Sequence, residues 1–181
     1  VNWSGPYTAV GGGVVVSDII FGGGIFVLIA NNGNIYSSTD GVNWSASSVG
    51  HNTGAEGTYG NGMFVIVDGN AEVYYSADGK IWKGPSSAGI AGGPNFGAAY
   101  GKGFFVTPDE NGDIYYSKDA KNWLGPINIS GGEVYSISFG AGKFYAGDVN
   151  GDIFVSADCK TWTKIASVSG SIDYITYPVT N

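Results

Sequence analysis

The apolar residues of this chain fall in short runs bounded by glycine-rich turns, and no window shows the 3.6-residue apolar period of an amphipathic helix. One stretch displays the plan. Ala55–Gly60, Met63–Asp68, Glu72–Ala77 and Ile81–Gly84 read as four β segments in succession. The first two are joined by an aromatic-Gly-x-Gly turn, which recurs at Phe21 to Gly24, Tyr59 to Gly62, Tyr100 to Gly103 and Phe139 to Gly142. The second and third are joined by turns such as Asn32-Gly33, Asn111-Gly112 and Asn150-Gly151. Asn-Gly between apolar runs predicts a type I′ hairpin turn, in which both central residues have φ > 0.

The third and fourth segments are joined by a heptapeptide, Ser-x-Asp-x-x-x-Trp, that occurs four times: Ser38 to Trp44, Ser76 to Trp82, Ser117 to Trp123 and Ser156 to Trp162. Its aspartates, Asp40, Asp78, Asp119 and Asp158, are spaced 38, 41 and 39 residues apart. Self-similarity at this period marks a repeat architecture, and four antiparallel strands per unit make one blade of a β-propeller. The aspartates are expected to cap their own turns through backbone N–H groups, without a metal. Trp44, Trp82, Trp123 and Trp162 offer large apolar surfaces and are expected in the core between sheets. The fold class is therefore all-β, a propeller with complete blades at about 9–48, 49–86, 87–127 and 128–166. Val1-Asn2-Trp3 repeats the tail of the motif, and Tyr177 aligns with Phe139, so 1–8 and 167–181 read as the outer and inner parts of a partial fifth blade. We expect the chain to be a fragment of a larger protein, with the open ends covered by a partner or a neighbouring subunit.

The heptapeptide resembles the Asp-box (BNR-like) repeat of the sialidase superfamily, in a shorter form similar to that of bacteriophage virion proteins and bacterial surface or secreted proteins. The resemblance covers the whole chain and implies the propeller; it says little about a ligand. Sialidases of that superfamily hold a substrate carboxylate with three arginines. This chain has no arginine, only eight lysines, and an ammonium cannot reproduce the two-pronged guanidinium contact. The resemblance therefore does not imply sialidase activity.

Composition changes the picture little. Glycine accounts for 32 of 181 residues, aromatics for 14%, and the single Cys159 stands at a turn corner filled by Gly41, Gly79 and Ala120 in the other repeats. Cys159 reads as a substituted turn residue, and the one histidine, His51, as a solvated loop residue. Neither a His-based metal cluster nor a Ser-His-Asp triad can be assembled from them. Asp109, Asn111 and Asp113, like Asp148, Asn150 and Asp152, set oxygen ligands at alternating positions, a weak calcium-loop pattern that also fits a tight hairpin. No cofactor is expected beyond that.

The net charge of −7 is unevenly placed by the strand topology. Second-turn and connection acids (Asp68, Glu72, Asp109, Glu110, Asp113, Asp148, Asp152, Glu56 and Glu133) fall on one face without lysine. Lys80, Lys102, Lys118, Lys121, Lys143 and Lys160 fall on the other. An acidic face without arginine disfavours nucleic acid, and no apolar run is long enough to span a membrane as a helix. Tyr7, Tyr74, Tyr75, Tyr115 and Tyr116 are candidate sugar-stacking rings, and the x-Gly-Pro after Trp3, Trp82 and Trp123 is expected to turn the strand out of its sheet. These features together predict a non-catalytic module of an extracellular or virion surface, for display, adhesion or decoration, with glycan as a candidate ligand. The alternatives are a glycoside-active enzyme using acidic turns and a filament or capsid subunit.

Overall fold

The computed structural model describes residues 10–51, 54–87, 89–90 and 97–177. Among them, sixteen strands make four separate antiparallel sheets, each in plain sequential order. The first sheet comprises β1 (Val16–Gly22), β2 (Ile25–Ala30), β3 (Asn34–Ser38) and β4 (Ser45–Ser48). The second comprises β5 (Glu56–Gly60), β6 (Met63–Val67), β7 (Glu72–Ser76) and β8 (Lys83–Ser87). The third holds β9 (Ala99–Gly101), β10 (Phe104–Pro108), β11 (Asp113–Ser117) and β12 (Trp123–Asn128). The fourth holds β13 (Val134–Gly140), β14 (Lys143–Asp148), β15 (Asp152–Ser156) and β16 (Trp162–Ser167). The expected outer strand at 1–8 lies outside the described residues, as does much of the connection between the second and third sheets.

Each sheet is one blade, and each pair of neighbours shares a core. Ile20, Val27, Ile29 and Ile35 of the first blade pack with Phe64, Ile66 and Tyr74 of the second. Val65, Val67 and Val73 meet Phe105 and Ala120 of the third, and Val106 and Ile114 meet Phe144 and Ala146 of the fourth. Second strands such as β2 are buried along nearly their whole length because both faces are covered by neighbours. Each such fully buried aliphatic or aromatic side chain contributes roughly 1.5–3 kcal/mol.

A second device fixes the spacing between blades. The first strand of every blade ends in an aromatic followed by glycine, and the aromatic of the next blade lies on that glycine. A Cβ at Gly22 would run into the Tyr59 ring, at Gly60 into Tyr100, at Gly101 into Phe139 and at Gly140 into Tyr177. The last contact places residues 171–177 against the fourth blade, where the first strand of a further blade would lie. They are not paired into a strand ladder there. Ile172 N–H donates to the Asp148 carbonyl at 3.0 Å, Ile175 N–H to Ser136 Oγ at 2.8 Å, and Tyr177 stacks on Tyr145 with ring centres 5.7 Å apart.

Two local expectations need correction. The type I′ geometry belongs to the first hairpin, where Gly23/Gly24, Asn61/Gly62, Lys102/Gly103 and Ala141/Gly142 all have positive φ. In the second hairpin only Gly33, Ala71, Gly112 and Gly151 are left-handed, while Asn32, Asn111 and Asn150 are not. The Gly-Pro pairs after Trp82 and Trp123 do not turn the strands away. Gly84-Pro85 and Gly125-Pro126 stay within β8 and β12 across register shifts opposite Val73/Tyr75 and Ile114/Tyr116. The box tryptophans are half-buried at the margin of the core: Trp82, Trp123 and Trp162 pack against the clusters between blades, and the Trp44 ring centre lies 6.4 Å from that of Phe26. Each lies over its turn, its indole N–H donating at 3.2 Å to the carbonyl of Gly41, Gly79, Ala120 or Cys159. One end of the ring needs that polar partner, so only part of its surface enters the core.

Candidate functional site

The box aspartates, the most conspicuous acids of the sequence, are engaged within their own turns. Asp40 Oδ1 accepts the N–H groups of Val42 and Asn43, both at 2.8 Å, and the Ser38 hydroxyl at 3.0 Å. Asp78, Asp119 and Asp158 repeat these bonds with Lys80/Ile81, Lys121/Asn122 and Lys160/Thr161. Donation by the third-residue N–H, foremost among these bonds, holds all four carboxyls below the usual range, Asp158 at about 2. The residue after each aspartate is left-handed, which Gly41 and Gly79 adopt freely and Ala120 and Cys159 adopt at φ 59°. Cys159 is buried there, and burial pushes its thiol up to about 11, far from a reactive thiolate.

A second set of aspartates repeats with the same spacing and was not distinguished by sequence reasoning. Asp68, Asp109 and Asp148 close the second strands of blades two to four and are fully buried. Each caps the hairpin ahead of it: Asp109 Oδ1 accepts Asn111 N–H at 2.9 Å and Asp113 N–H at 3.0 Å, and Asp148 Oδ1 accepts Asn150 N–H at 3.0 Å and Asp152 N–H at 2.7 Å. Asp68 does the same for Asn70 and Glu72. Asp113 accepts the Asn128 amide at 2.9 Å, and Asp152 accepts Lys164 and Ser167. Of the six residues of the calcium-loop pattern, Asp109 and Asp148 are thus hairpin caps and the other four donate the N–H groups they accept; no group of three or more His, Cys, Asp or Glu side chains placed to hold a metal occurs among the described residues. The acidic face is correspondingly weaker than its sequence suggests, with three acids buried and Lys164 beside Asp152. His51 is buried, not solvated; it sits edge-on to Tyr74, the ring centres 6.4 Å apart, with Nε2 3.4 Å from the Asn34 carbonyl.

Among the described residues, cavities open to ligands occur along the axis and on the rim. The first is an axial cavity of about 270 Å³ between the first strands of the blades, lined by Asp18, Glu56, Thr58, Ser136, Ser138 and Tyr174 among others. Asp18, Glu56, Gly97, Ser136 and Tyr174 occupy one equivalent position, three residues before the notch aromatic. Asp18 Oδ2 accepts the Gly57 N–H of the next blade at 3.0 Å, as Ser136 accepts Ile175 N–H. Burial raises the carboxyl of Asp18. Burial and the neighbouring Asp18 charge raise Glu56 to about 7. The sequence placed Glu56 in a connection and did not single out Asp18.

The second region is a row of grooves on the rim, each lying along the third strand and box turn of one blade, with a lysine from the next blade's box turn added to two of them. Met63, Tyr75, Asp78, Ile81, Lys83 and Lys121 line one of about 380 Å³, and Phe104, Tyr116, Asp119, Asn122, Leu124 and Lys160 line its equivalent of about 330 Å³. A third, of about 270 Å³, lies at Lys143, Val155, Asp158 and Thr163. Lys121 reaches back over Tyr75 and Lys160 over Tyr116, 5.3 and 5.6 Å from the ring centres. Of the candidate stacking rings, Tyr74 and Tyr115 are buried between blades and Tyr75 and Tyr116 reach the grooves; Tyr7 lies outside the described residues.

No protein-family model matches the chain, and a search of curated proteins finds no match. Among solved structures it is similar to the computationally designed Ika4 protein, at 19% identity and TM-score 0.65 over 86% of this chain and 98% of that one. It is also similar to YCF48 bound to D1 peptide (17%, TM-score 0.62, 85% of this chain and 53% of that one) and to the WD40 β-propeller domain of Doa1 (15%, TM-score 0.69, 94% and 60%). The fold is a β-propeller. The chain spans little more than half the length of the YCF48 and Doa1 chains it matches.

Proposed function

We propose that this chain is a non-catalytic β-propeller binding module of the Asp-box kind, working in an extracellular or virion surface assembly for display or adhesion. The observation that supports this reading is the recurrence of rim grooves along successive blades, each pairing exposed apolar surface with a box carboxylate and two of them a tyrosine under a lysine. Equivalent shallow sites on a rigid scaffold suit a repetitive ligand, since linked weak contacts add through effective concentration. A polysaccharide or a repetitive protein surface has that character, and the half-exposed Tyr75 and Tyr116 rings suit the flat face of a sugar. YCF48 with D1 peptide and the nidogen/laminin complex are propeller structures solved with partners, which agrees with a partner-binding use of the scaffold. A glycan array and an immobilised-polysaccharide binding assay test it. The double variant Tyr75→Ala, Tyr116→Ala should lose most binding while keeping the native melt. Unchanged binding, or none in the native chain to any glycan or surface protein tried, counts against it.

A second reading rests on the axial cavity. Glu56, raised to about 7 beside Asp18, has the protonation state of a general acid near neutral pH. The cavity, however, falls just below the usual volume of small-molecule sites, and Asp18 is engaged by backbone N–H groups. Reducing-sugar release from surface polysaccharides, abolished by Glu56→Gln, would favour catalysis over binding.

A further inference from the structure

β1 is shaped as a junction strand and stands uncovered. Phe21 holds the position that Tyr59, Tyr100 and Phe139 hold in later blades, and it holds the same pose. Its ring centre is 4.5 Å from that of Phe26, against 4.7 Å for Tyr59–Phe64 and 4.8 Å for both Tyr100–Phe105 and Phe139–Phe144. Those three rings each lie on a glycine of the preceding blade. Phe21 is 59% exposed, with Ile19 at 56% and Val16 at 41%, because no described blade precedes it.

The matching surface exists at the far side of the stack. On the fourth blade, Gly140 and Gly147 leave room that Tyr177 and Ile172 fill. That cover is light: among the described residues the segment 171–177 has no second strand of its own, and Tyr174 is 77% exposed. In each of the four described blades the notch aromatic is followed by glycine, whereas Tyr177 is followed in sequence by proline.

We propose that the β1 face is a blade-to-blade junction whose occupant is the fourth blade of a second copy of this chain, and that residues 171–177 compete with that β1 for the same surface. Among the described residues, the chemistry Phe21 requires, a glycine ending a first strand, lacks a covering blade only at Gly140. Two such four-blade units also have the length of the Ika8 propeller, of which this chain covers 52%. The contact is head-to-tail, so it closes into a ring where the rotation permits.

Sedimentation velocity over a wide concentration range tests this on the full chain and on one ending at Gly170. Removing the competing segment should at least double the mass. Adding Phe21→Asp to the shortened chain, or supplying a peptide of residues 171–177, should return it to monomer. A folded monomer in the shortened form means that the β1 face meets some other cover and overturns the proposal. So does an assembly indifferent to both Phe21→Asp and the peptide. Should the shortened chain lose its cooperative melt, the full chain with Ile172→Ser and Tyr177→Ser decides in the same way, an unchanged monomer refuting the competition.

Discussion

The box corners and the axial ring are both made of positions that recur once per blade, yet they are used in opposite ways. At the corners, Asp40, Asp78, Asp119 and Asp158 accept the same pair of N–H groups and the same serine hydroxyl, and each tryptophan donates to the same carbonyl. Around the axis, Asp18, Glu56, Gly97, Ser136 and Tyr174 share one position and differ in every case. A position that the fold needs must be met in each repeat. A position that the fold tolerates is free to diverge, and there the repeats acquire individual chemistry.

The largest expected effect tests the corner. Trp123→Ala removes a half-buried ring and its hydrogen bond, and should cost about 2–3 kcal/mol, below the ~3–5 kcal/mol typical of a fully enclosed aromatic. Denaturant unfolding measures it, and a similar loss for Trp82→Ala would establish that the corners are interchangeable. Asp119→Ala should cost about 1–2 kcal/mol at neutral pH by releasing two backbone donors. Because the folded carboxyl is depressed, that contribution is complete above the ordinary value of 3.8 and disappears as pH falls through the folded value, so native and variant should converge in strong acid.

The axial ring should behave with the opposite sign. Glu56 is raised from 4.5 to about 7, so the folded chain binds the extra proton and loses stability as pH climbs between those values. Glu56→Gln should therefore stabilise by roughly 1 kcal/mol above pH 7 and by little at pH 4.5. Melting temperatures across a pH series read this; a variant less stable at every pH would mean that Glu56 supports the structure as the corner acids do. The smallest effect is expected at Cys159. Replacement by glycine relieves a left-handed residue but removes a buried side chain, so the net change should stay within about 0.5 kcal/mol. Native Cys159 should also resist alkylation at pH 8 until the chain is unfolded.

What the sequence makes legible follows from the same comparison. The repeated corners announce the blade, because Ser, Asp and Trp must sit at fixed offsets for the turn to close. Asp68, Asp109 and Asp148 were legible in principle: their spacings of 41 and 39 equal those of the box aspartates in the same blades. Only burial, which depends on the neighbouring connection, separates them from the exposed acids nearby. His51 was misread for a related reason, since its cover comes from Tyr74 in another strand. The axial cavity is hardest of all to foresee. Asp18 points inward partly through a register shift in β1 opposite Ile29, and its coupling to Glu56 exists only once two blades stand side by side.

The glycine notch gives the molecule an arrow. Every blade offers a knob on one flank and a socket on the other, so two blades fit in a single sense, and a face-to-face pairing of like flanks would set knob against knob. Tyr59 on Gly22 and Tyr100 on Gly60 are the same joint built twice, and a duplicated blade would find a socket ready for its knob and present another in turn. Blade number is then an open variable of this fold, lengthened by copying a unit that carries its own knob and socket.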